Sequence, residues 1–130
     1  MVEHRELTVV VIDDDFRVGE SVGSLVESAG YIPRVFLSAE EFLESGALGQ
    51  AGCIITDVRM PGMDGLELQR RLRAERPALP VIFITAHFDD EARRRAFEGG
   101  ALEFLYKPFN AADLMHAIDR ASDRSPDHRI

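Results

Sequence analysis

The hydrophobic positions of the chain fall in short runs that alternate with longer amphipathic segments. Five apolar runs rich in β-branched residues predict buried strands, at residues 7–12, 31–36, 52–57, 80–85 and 102–106. The segments between them predict five helices, near residues 16–29, 38–45, 64–75, 89–98 and 110–122. Because strands and helices alternate, the pattern predicts an α/β fold in which helices cover both faces of a parallel sheet.

The order of the strands follows from the second and fourth apolar runs. The second run contains Pro33, which cannot donate a ladder hydrogen bond and therefore favours an edge strand. The fourth run, "VIFIT", has no polar alternation, as expected of a strand covered on both faces. With right-handed crossovers, these positions predict a doubly wound, five-stranded parallel sheet of order 2-1-3-4-5. Ligands of such sheets bind beyond the carboxyl ends of the strands, where the direction of winding reverses.

Polar residues gather at that edge of the predicted sheet. They stand at or just after the ends of four strands: Asp13, Asp14 and Asp15, Asp57, Thr85, and Lys107. Two carboxylates about 4 Å apart repel by roughly 4 kcal/mol at an effective dielectric constant of 20, so the cluster either stays partly protonated or recruits a cation. Ligands that are all oxygen favour Mg²⁺ or Mn²⁺. A metal beside a carboxylate, a hydroxyl and an ammonium group indicates phosphoryl transfer, and which aspartate attacks stays open on this ground.

Composition and charge narrow the class of protein further. The 130 residues suffice for one domain, and the formal net charge of -8 argues against nonspecific attraction to nucleic acid or anionic lipid. The single cysteine, Cys53, lies in an apolar run and is predicted to be a core residue. No apolar stretch reaches the roughly 18 residues that a membrane span needs, and the amino terminus does not resemble a signal peptide, so we expect a cytoplasmic protein with no membrane partner.

Four motifs occur in the order "VVVIDDD", "IITDVRMPGMDGLEL", "VIFITAH" and "GGALEFLYKPF". With these motifs the chain resembles a receiver domain of a two-component response regulator, and more narrowly the FixJ-type subfamily of transcription regulators. The resemblance covers about residues 7–122 and implies a flavodoxin-like receiver domain over residues 1–122, followed at 123–130 by a tail or the start of a linker. It implies a signalling domain that catalyses at most its own phosphoryl transfer and autodephosphorylation.

The resemblance also implies roles for individual residues. Asp57 would accept a phosphoryl group from a sensor histidine kinase, with Mg²⁺ or Mn²⁺ held by Asp13, Asp14, Asp57 and the backbone carbonyl of Arg59. Three further residues would bind phosphate or act in the switch: Lys107 as the phosphate-binding lysine, Thr85 as the switch hydroxyl and Phe104 as the switch aromatic. It further implies a cis bond between Lys107 and Pro108.

Other expectations concern the surroundings of the site and the partners. Asp15 is predicted to serve the start of the first helix. Arg59 and His87, each two residues beyond a site residue, are either side chains that tune the phosphoryl lifetime or solvated loop residues. Phosphorylation is expected to change the surface of helix 4, strand 5 and helix 5 and to favour a homodimer. Any contact with DNA would need an output domain that these residues do not contain.

Two rival functions remain at this point. The spacing of Asp13 and Asp15 also resembles the motif of haloacid-dehalogenase-like phosphatases, in which Asp13 would be the nucleophile; Arg17 departs from that motif, and the Asp57 loop would have no role. The other rival is a receiver-like interaction module that is not phosphorylated. Such a module usually has a broken site, whereas each matched position here holds a competent residue.

Overall fold

All five predicted strands are present in the computed structural model of the chain, which describes residues 7–124. The strands are β1 (Thr8–Ile12), β2 (Ile32–Phe36), β3 (Ala51–Asp57), β4 (Val81–Thr85) and β5 (Glu103–Tyr106). They form one parallel sheet in the order β2-β1-β3-β4-β5, which confirms the predicted topology. Most of the expected tail, residues 125–130, lies outside the described residues.

The five predicted helices are present as well, and their ends lie within about two residues of the expected positions. They are α1 (Phe16–Ser28), α2 (Ala39–Ser45), α3 (Gly65–Glu75), α4 (Asp90–Glu98) and α5 (Ala111–Arg124). A short 3-10 helix at Ala47–Gln50 was not predicted; it follows Gly46, whose left-handed φ of 80° ends α2. No helix of residues 7–124 is both long and apolar enough to span a membrane.

Each of the five α-helices follows a polar side chain that accepts a hydrogen bond from a backbone N–H group of the first turn. These capping residues are Asp15, Ser38, Asp64, Asp89 and Asn110, which precede α1, α2, α3, α4 and α5. Asp15 accepts from the N–H groups of Arg17 and Val18, as predicted for this residue. A cap of this kind typically contributes about 1 kcal/mol to the stability of a helix.

The core consists of two layers, one on each face of the sheet. Alternate residues of the central strands point to opposite faces, so that Val10 and Ile54 pack towards α2, α3 and α4, while Val9 and Cys53 pack towards α1 and α5. Cys53 is fully buried, as predicted. The two layers hold the central strands rigidly, and this fixes the positions of the residues at the strand ends.

Strand β2 is the edge strand that Pro33 predicted, and α1 packs closely over it. A Cβ atom added to Gly19 or Gly23 would lie 3.0 Å from a methyl carbon of Val35. These two glycines therefore allow α1 to approach the sheet at a distance that a larger residue would increase. The first residue of α1, Phe16, directly follows the three aspartates after β1, so the helix begins at the carboxyl edge of the sheet.

Candidate functional site

The strand register brings Asp13 and Asp57 together at the carboxyl edge of the sheet. Ile12 pairs with Thr56 across β1 and β3, so the residues that follow them, Asp13 and Asp57, end neighbouring strands. Asp13 is fully buried and Asp57 is 7% exposed, whereas Asp14 is exposed. The edge therefore holds two buried carboxylates beside one that is open to solvent.

Asp13, Asp14 and Asp57 form an acidic cluster that can hold a metal ion. One carboxylate oxygen from each lies within 4.8 Å of the others. The ligands are all oxygen, as Mg²⁺ and Mn²⁺ prefer, and solvent access through Asp14 leaves positions for water or phosphate. The side chain of Asp15 bonds instead to the backbone of α1, and the backbone N–H of Asp15 donates to Oδ1 of Asp13 at 2.8 Å. Asp15 therefore contacts Asp13 through its backbone, while its carboxylate caps the helix.

Lys107 places its ammonium group between the two buried carboxylates. Its Nζ atom lies 2.9 Å from Oδ2 of Asp13 and 3.1 Å from Oδ2 of Asp57. The peptide bond between Lys107 and Pro108 is cis, as predicted. The backbone N–H of Lys107 donates to the carbonyl oxygen of Thr85 at 2.7 Å, which fixes the lysine to the end of β4.

Burial and charge act in opposite directions on these groups. Burial raises the pKa of Asp13, and the hydrogen bond from Lys107 lowers it only in part, so the pKa of Asp13 lies above its usual value. Burial lowers the pKa of Lys107, but its bonds to Asp13 and Asp57 raise it by more, and the net direction is upward. Lys107 is therefore charged at neutral pH, and a metal cation beside Asp13 would offset the cost of burying that carboxylate.

The loop after Asp57 is held close to the cluster by backbone contacts. The N–H of Gly65 donates to the carbonyl oxygen of Val58 at 2.8 Å, and a Cβ atom at Gly65 would collide with the carbonyl oxygen of Asp57. Glu40 accepts a hydrogen bond of 2.7 Å from the N–H of Met63, which ties the loop to α2 and lowers the pKa of Glu40. The loop is thus fixed on both sides of its tip.

Arg59 reaches across the edge of the sheet to α4. Its backbone N–H donates to Oδ1 of Asp57 at 3.3 Å, and its Nη2 lies 2.8 Å from Oδ2 of Asp89. Asp89 uses its other oxygen, Oδ1, to accept from the N–H of Ala92 and so caps α4. The N–H of Ala92, and after it the guanidinium of Arg59, lower the pKa of Asp89.

Thr85 and His87 lie at the end of β4. Thr85 is 1% exposed, and its hydroxyl oxygen accepts a hydrogen bond of 3.2 Å from the backbone N–H of His87. Ile84, the residue before Thr85, pairs with Asp57 across β4 and β3. The side chain of His87 is exposed. The structure therefore places the Thr85 hydroxyl at the same edge as the acidic cluster.

Phe104 lies in a row of aromatic rings that runs from the core to the surface. Its ring centroid is 5.9 Å from that of Phe83 and 5.4 Å from that of Tyr106, and Phe104 is only 4% exposed. Tyr106 in turn stacks at 4.3 Å on Phe88, which is 84% exposed and belongs to the loop after β4. The loop that carries His87 is therefore in contact with β5 through aromatic rings.

Sequence reasoning missed three contacts at this edge: those of Arg59 with Asp89, of Glu40 with Met63 and of Phe88 with Tyr106. Asp89 could have been found as a capping residue, because it stands at the start of the helix predicted at residues 89–98. The contact of Asp89 with Arg59 could not have been predicted, because the conformation of the loop after Asp57 decides where the Arg59 side chain points.

Residues 9–119 match the family model of the response regulator receiver domain, and the chain belongs to this family. The response regulator protein TmoT of Ectopseudomonas mendocina is 39% identical over 125 residues, which are 96% of this chain and 57% of TmoT. The transcriptional regulatory protein FixJ of Azorhizobium caulinodans is 44% identical over 119 residues, which are 92% of this chain and 56% of FixJ. The chain thus spans little more than half the length of these relatives.

A solved structure of the BeF3-activated receiver domain of DrrB has the same fold. It superposes with a TM-score of 0.83 at 29% identity and covers 90% of this chain and 97% of the DrrB domain. The predicted membership of the receiver family is confirmed. The chain is therefore a signalling module rather than a dedicated enzyme. Its aspartate cluster fits the divalent metal site typical of receivers.

Proposed function

We propose that Asp57 accepts a phosphoryl group from a sensor histidine kinase and that this modification switches the surface of α4, β5 and α5. The observation that carries the proposal is the ammonium group of Lys107, which contacts both Asp13 and Asp57 inside the acidic cluster. The acyl phosphate would carry about 1.5 to 2 negative charges in place of the single charge of the Asp57 carboxylate, and Lys107 is in place to bind them.

The proposed reaction needs little movement of the protein. A carboxylate oxygen of Asp57 attacks the phosphorus of a phosphohistidine, the P–N bond breaks, and the imidazole leaves with the bonding electron pair. Asp13, Asp14, Asp57 and the carbonyl of Arg59 would hold Mg²⁺ or Mn²⁺, which offsets charge on the phosphoryl oxygens when it is bound. Lys107 donates a charge-assisted hydrogen bond to the product.

The switch would start at Thr85. Its hydroxyl, which now accepts from the N–H of His87, can donate its own proton to a phosphoryl oxygen. A shift of Thr85 changes the packing around Phe104 and Tyr106, because the loop after β4 contacts Tyr106 through Phe88. We assign Phe104 the role of the switch aromatic, and we assign Arg59 and His87 an influence on the phosphoryl lifetime.

The switched surface would bind a second copy of the chain. Phe88, in the loop before α4, and Phe97, on α4, are exposed, and the guanidinium of Arg93 lies 5.0 Å above the ring of Phe97. Aromatic and arginine side chains of this kind are common anchors in protein interfaces. In a longer regulator of the FixJ kind, dimerisation would control an output domain, and any DNA contact would belong to that domain.

The oligomeric state in the presence of acetyl phosphate and Mg²⁺ tests the proposal. We expect dimerisation of the wild type, measured by analytical ultracentrifugation, and its loss with EDTA or in Asp57→Asn. Asp15→Asn is a matched control, because asparagine also caps a helix and this variant should dimerise as the wild type does. If Asp57→Asn behaves like the wild type, the chain is an interaction module that does not depend on phosphorylation.

A further inference from the structure

We propose that the side chain of Arg59 links the state of Asp57 to the start of α4 by exchanging partners. It binds Asp89 while Asp57 is unmodified, and it binds the phosphoryl group once Asp57 carries one. The inference rests on the proposed phosphorylation of Asp57 and adds a regulatory role for two residues outside the acidic cluster, Arg59 through its side chain and Asp89.

Arg59 contacts both Asp57 and the residue that caps α4. Its backbone N–H bonds to Oδ1 of Asp57 at 3.3 Å, so the residue is anchored beside the reacting carboxylate. Its guanidinium bonds to Oδ2 of Asp89 at 2.8 Å, thirty residues further along the chain. A phosphoryl group on Asp57 would therefore lie beside the backbone of Arg59, whose side chain already bonds to the residue that caps α4.

Asp89 binds α4 and Arg59 with different oxygens. Oδ1 of Asp89 accepts from the N–H of Ala92, while Oδ2 accepts from Arg59. One carboxylate thus joins the first turn of α4 to the loop after Asp57. When Arg59 leaves, Asp89 keeps its capping bond to the N–H of Ala92 but loses its counterion.

The ion pair between Arg59 and Asp89 is weak enough for the guanidinium to change partners. The side chains of Arg59 and Asp89 are 56% and 30% exposed, and ion pairs in such surroundings are weak. A phosphoryl group offers a larger charge and accepts two parallel hydrogen bonds from a guanidinium, which makes it the stronger partner. The neighbouring Arg94 on α4 is engaged by Glu91 and Glu98 and does not compete for this role.

The exchange predicts that Asp89 opposes activation by holding Arg59. Asp89→Asn retains a capping side chain but releases the guanidinium. We expect this variant to bind BeF3, in the presence of Mg²⁺, about twofold to fivefold more tightly than the wild type, in proportion to the loss of an exposed ion pair. Asp90→Asn removes the same charge one residue later, from a side chain that has no bond to Arg59, and measures the general electrostatic contribution.

A double-mutant cycle decides whether Arg59 carries the effect. In the Arg59→Gln background, Asp89→Asn should raise BeF3 affinity no more than Asp90→Asn does. A gain from Asp89→Asn that persists with Arg59→Gln, or one that equals the gain from Asp90→Asn in the wild-type background, overturns the exchange. A wild type that does not bind BeF3 with Mg²⁺, or an Asp57→Asn variant that binds it equally well, overturns the proposed function and the exchange with it.

Discussion

Nζ of Lys107 lies 3.1 Å from Oδ2 of Asp57, although fifty residues separate the two in the sequence. The contact exists because β3 and β5 flank β4 in one parallel sheet, so that both strands end at the same edge of the sheet. The same Nζ atom lies 2.9 Å from Asp13, on the far side of Asp57 in strand order. One cation thus connects the ends of three strands, and it sits where a phosphoryl group on Asp57 would need positive charge.

Replacing this cation should weaken phosphoryl binding strongly. We expect Lys107→Gln to bind BeF3 with Mg²⁺ about 10-fold to 100-fold more weakly, because a charge-assisted hydrogen bond is worth about 1.5 to 3 kcal/mol. Titration followed by NMR measures the affinity. Arg120→Gln removes a cation that bonds to Glu103 away from the cluster and should have no such effect. Equal affinities of the two variants would contradict the role of Lys107.

Gly65 should be essential for the position of the Asp57 loop. Gly65→Ala places a methyl group against the carbonyl oxygen of Asp57, and this overpacking should lower the free energy of unfolding by about 1 to 3 kcal/mol. Urea unfolding measures the loss. Gly49→Ala is the control, since a Cβ atom there has no neighbour within 4 Å. If both variants unfold at the same urea concentration, Gly65 does not lie as close to the carbonyl oxygen of Asp57 as described.

Phe104 should show separate effects on stability and on switching. Phe104→Ala should lower the free energy of unfolding by about 3 to 5 kcal/mol, as expected of a buried ring. Phe104→Leu keeps most of the buried volume, and we expect it to fold but to lose dimerisation in the presence of acetyl phosphate. Analytical ultracentrifugation of Phe104→Leu tests the switching role. If this variant dimerises as the wild type does, Phe104 acts only as a core residue.

The contact between Tyr31 and Asp119 should make stability depend on pH in the alkaline range. Burial, and then the 2.7 Å hydrogen bond to Asp119, raise the pKa of Tyr31. The native state therefore favours the neutral phenol, and this stability is fully present below the unfolded pKa of about 10 and is lost as pH rises towards the folded pKa.

Tyr31→Phe isolates this contribution. The variant should be about 1 kcal/mol less stable than the wild type at neutral pH, and the difference should shrink above a pH of about 10. Urea unfolding at several pH values measures both quantities. A difference that stays constant across the alkaline range would show that ionisation of Tyr31 is not coupled to folding.

The sequence carried enough information for the sheet and for the members of the acidic cluster. Pro33 placed β2 at the edge, and once the strand order was known, the residues after parallel strands had to meet at one edge. The contacts of loop side chains could not be predicted from the sequence. Arg59 contacts Asp89 because of the conformation of the loop after β3, and Phe88 contacts Tyr106 because of the conformation of the loop after β4. The 3-10 helix after α2 was missed for a similar reason, since its residues carry no periodic pattern.

We propose that Asp57, and no other aspartate at this edge of the sheet, takes the phosphoryl group. Reaction with acetyl phosphate and Mg²⁺, followed by mapping of the modified residue by mass spectrometry, tests it most directly. We expect phosphate on Asp57 in the wild type and no modified aspartate in Asp57→Asn. Phosphate on Asp13, or rapid turnover of diverse phosphate esters, would contradict it.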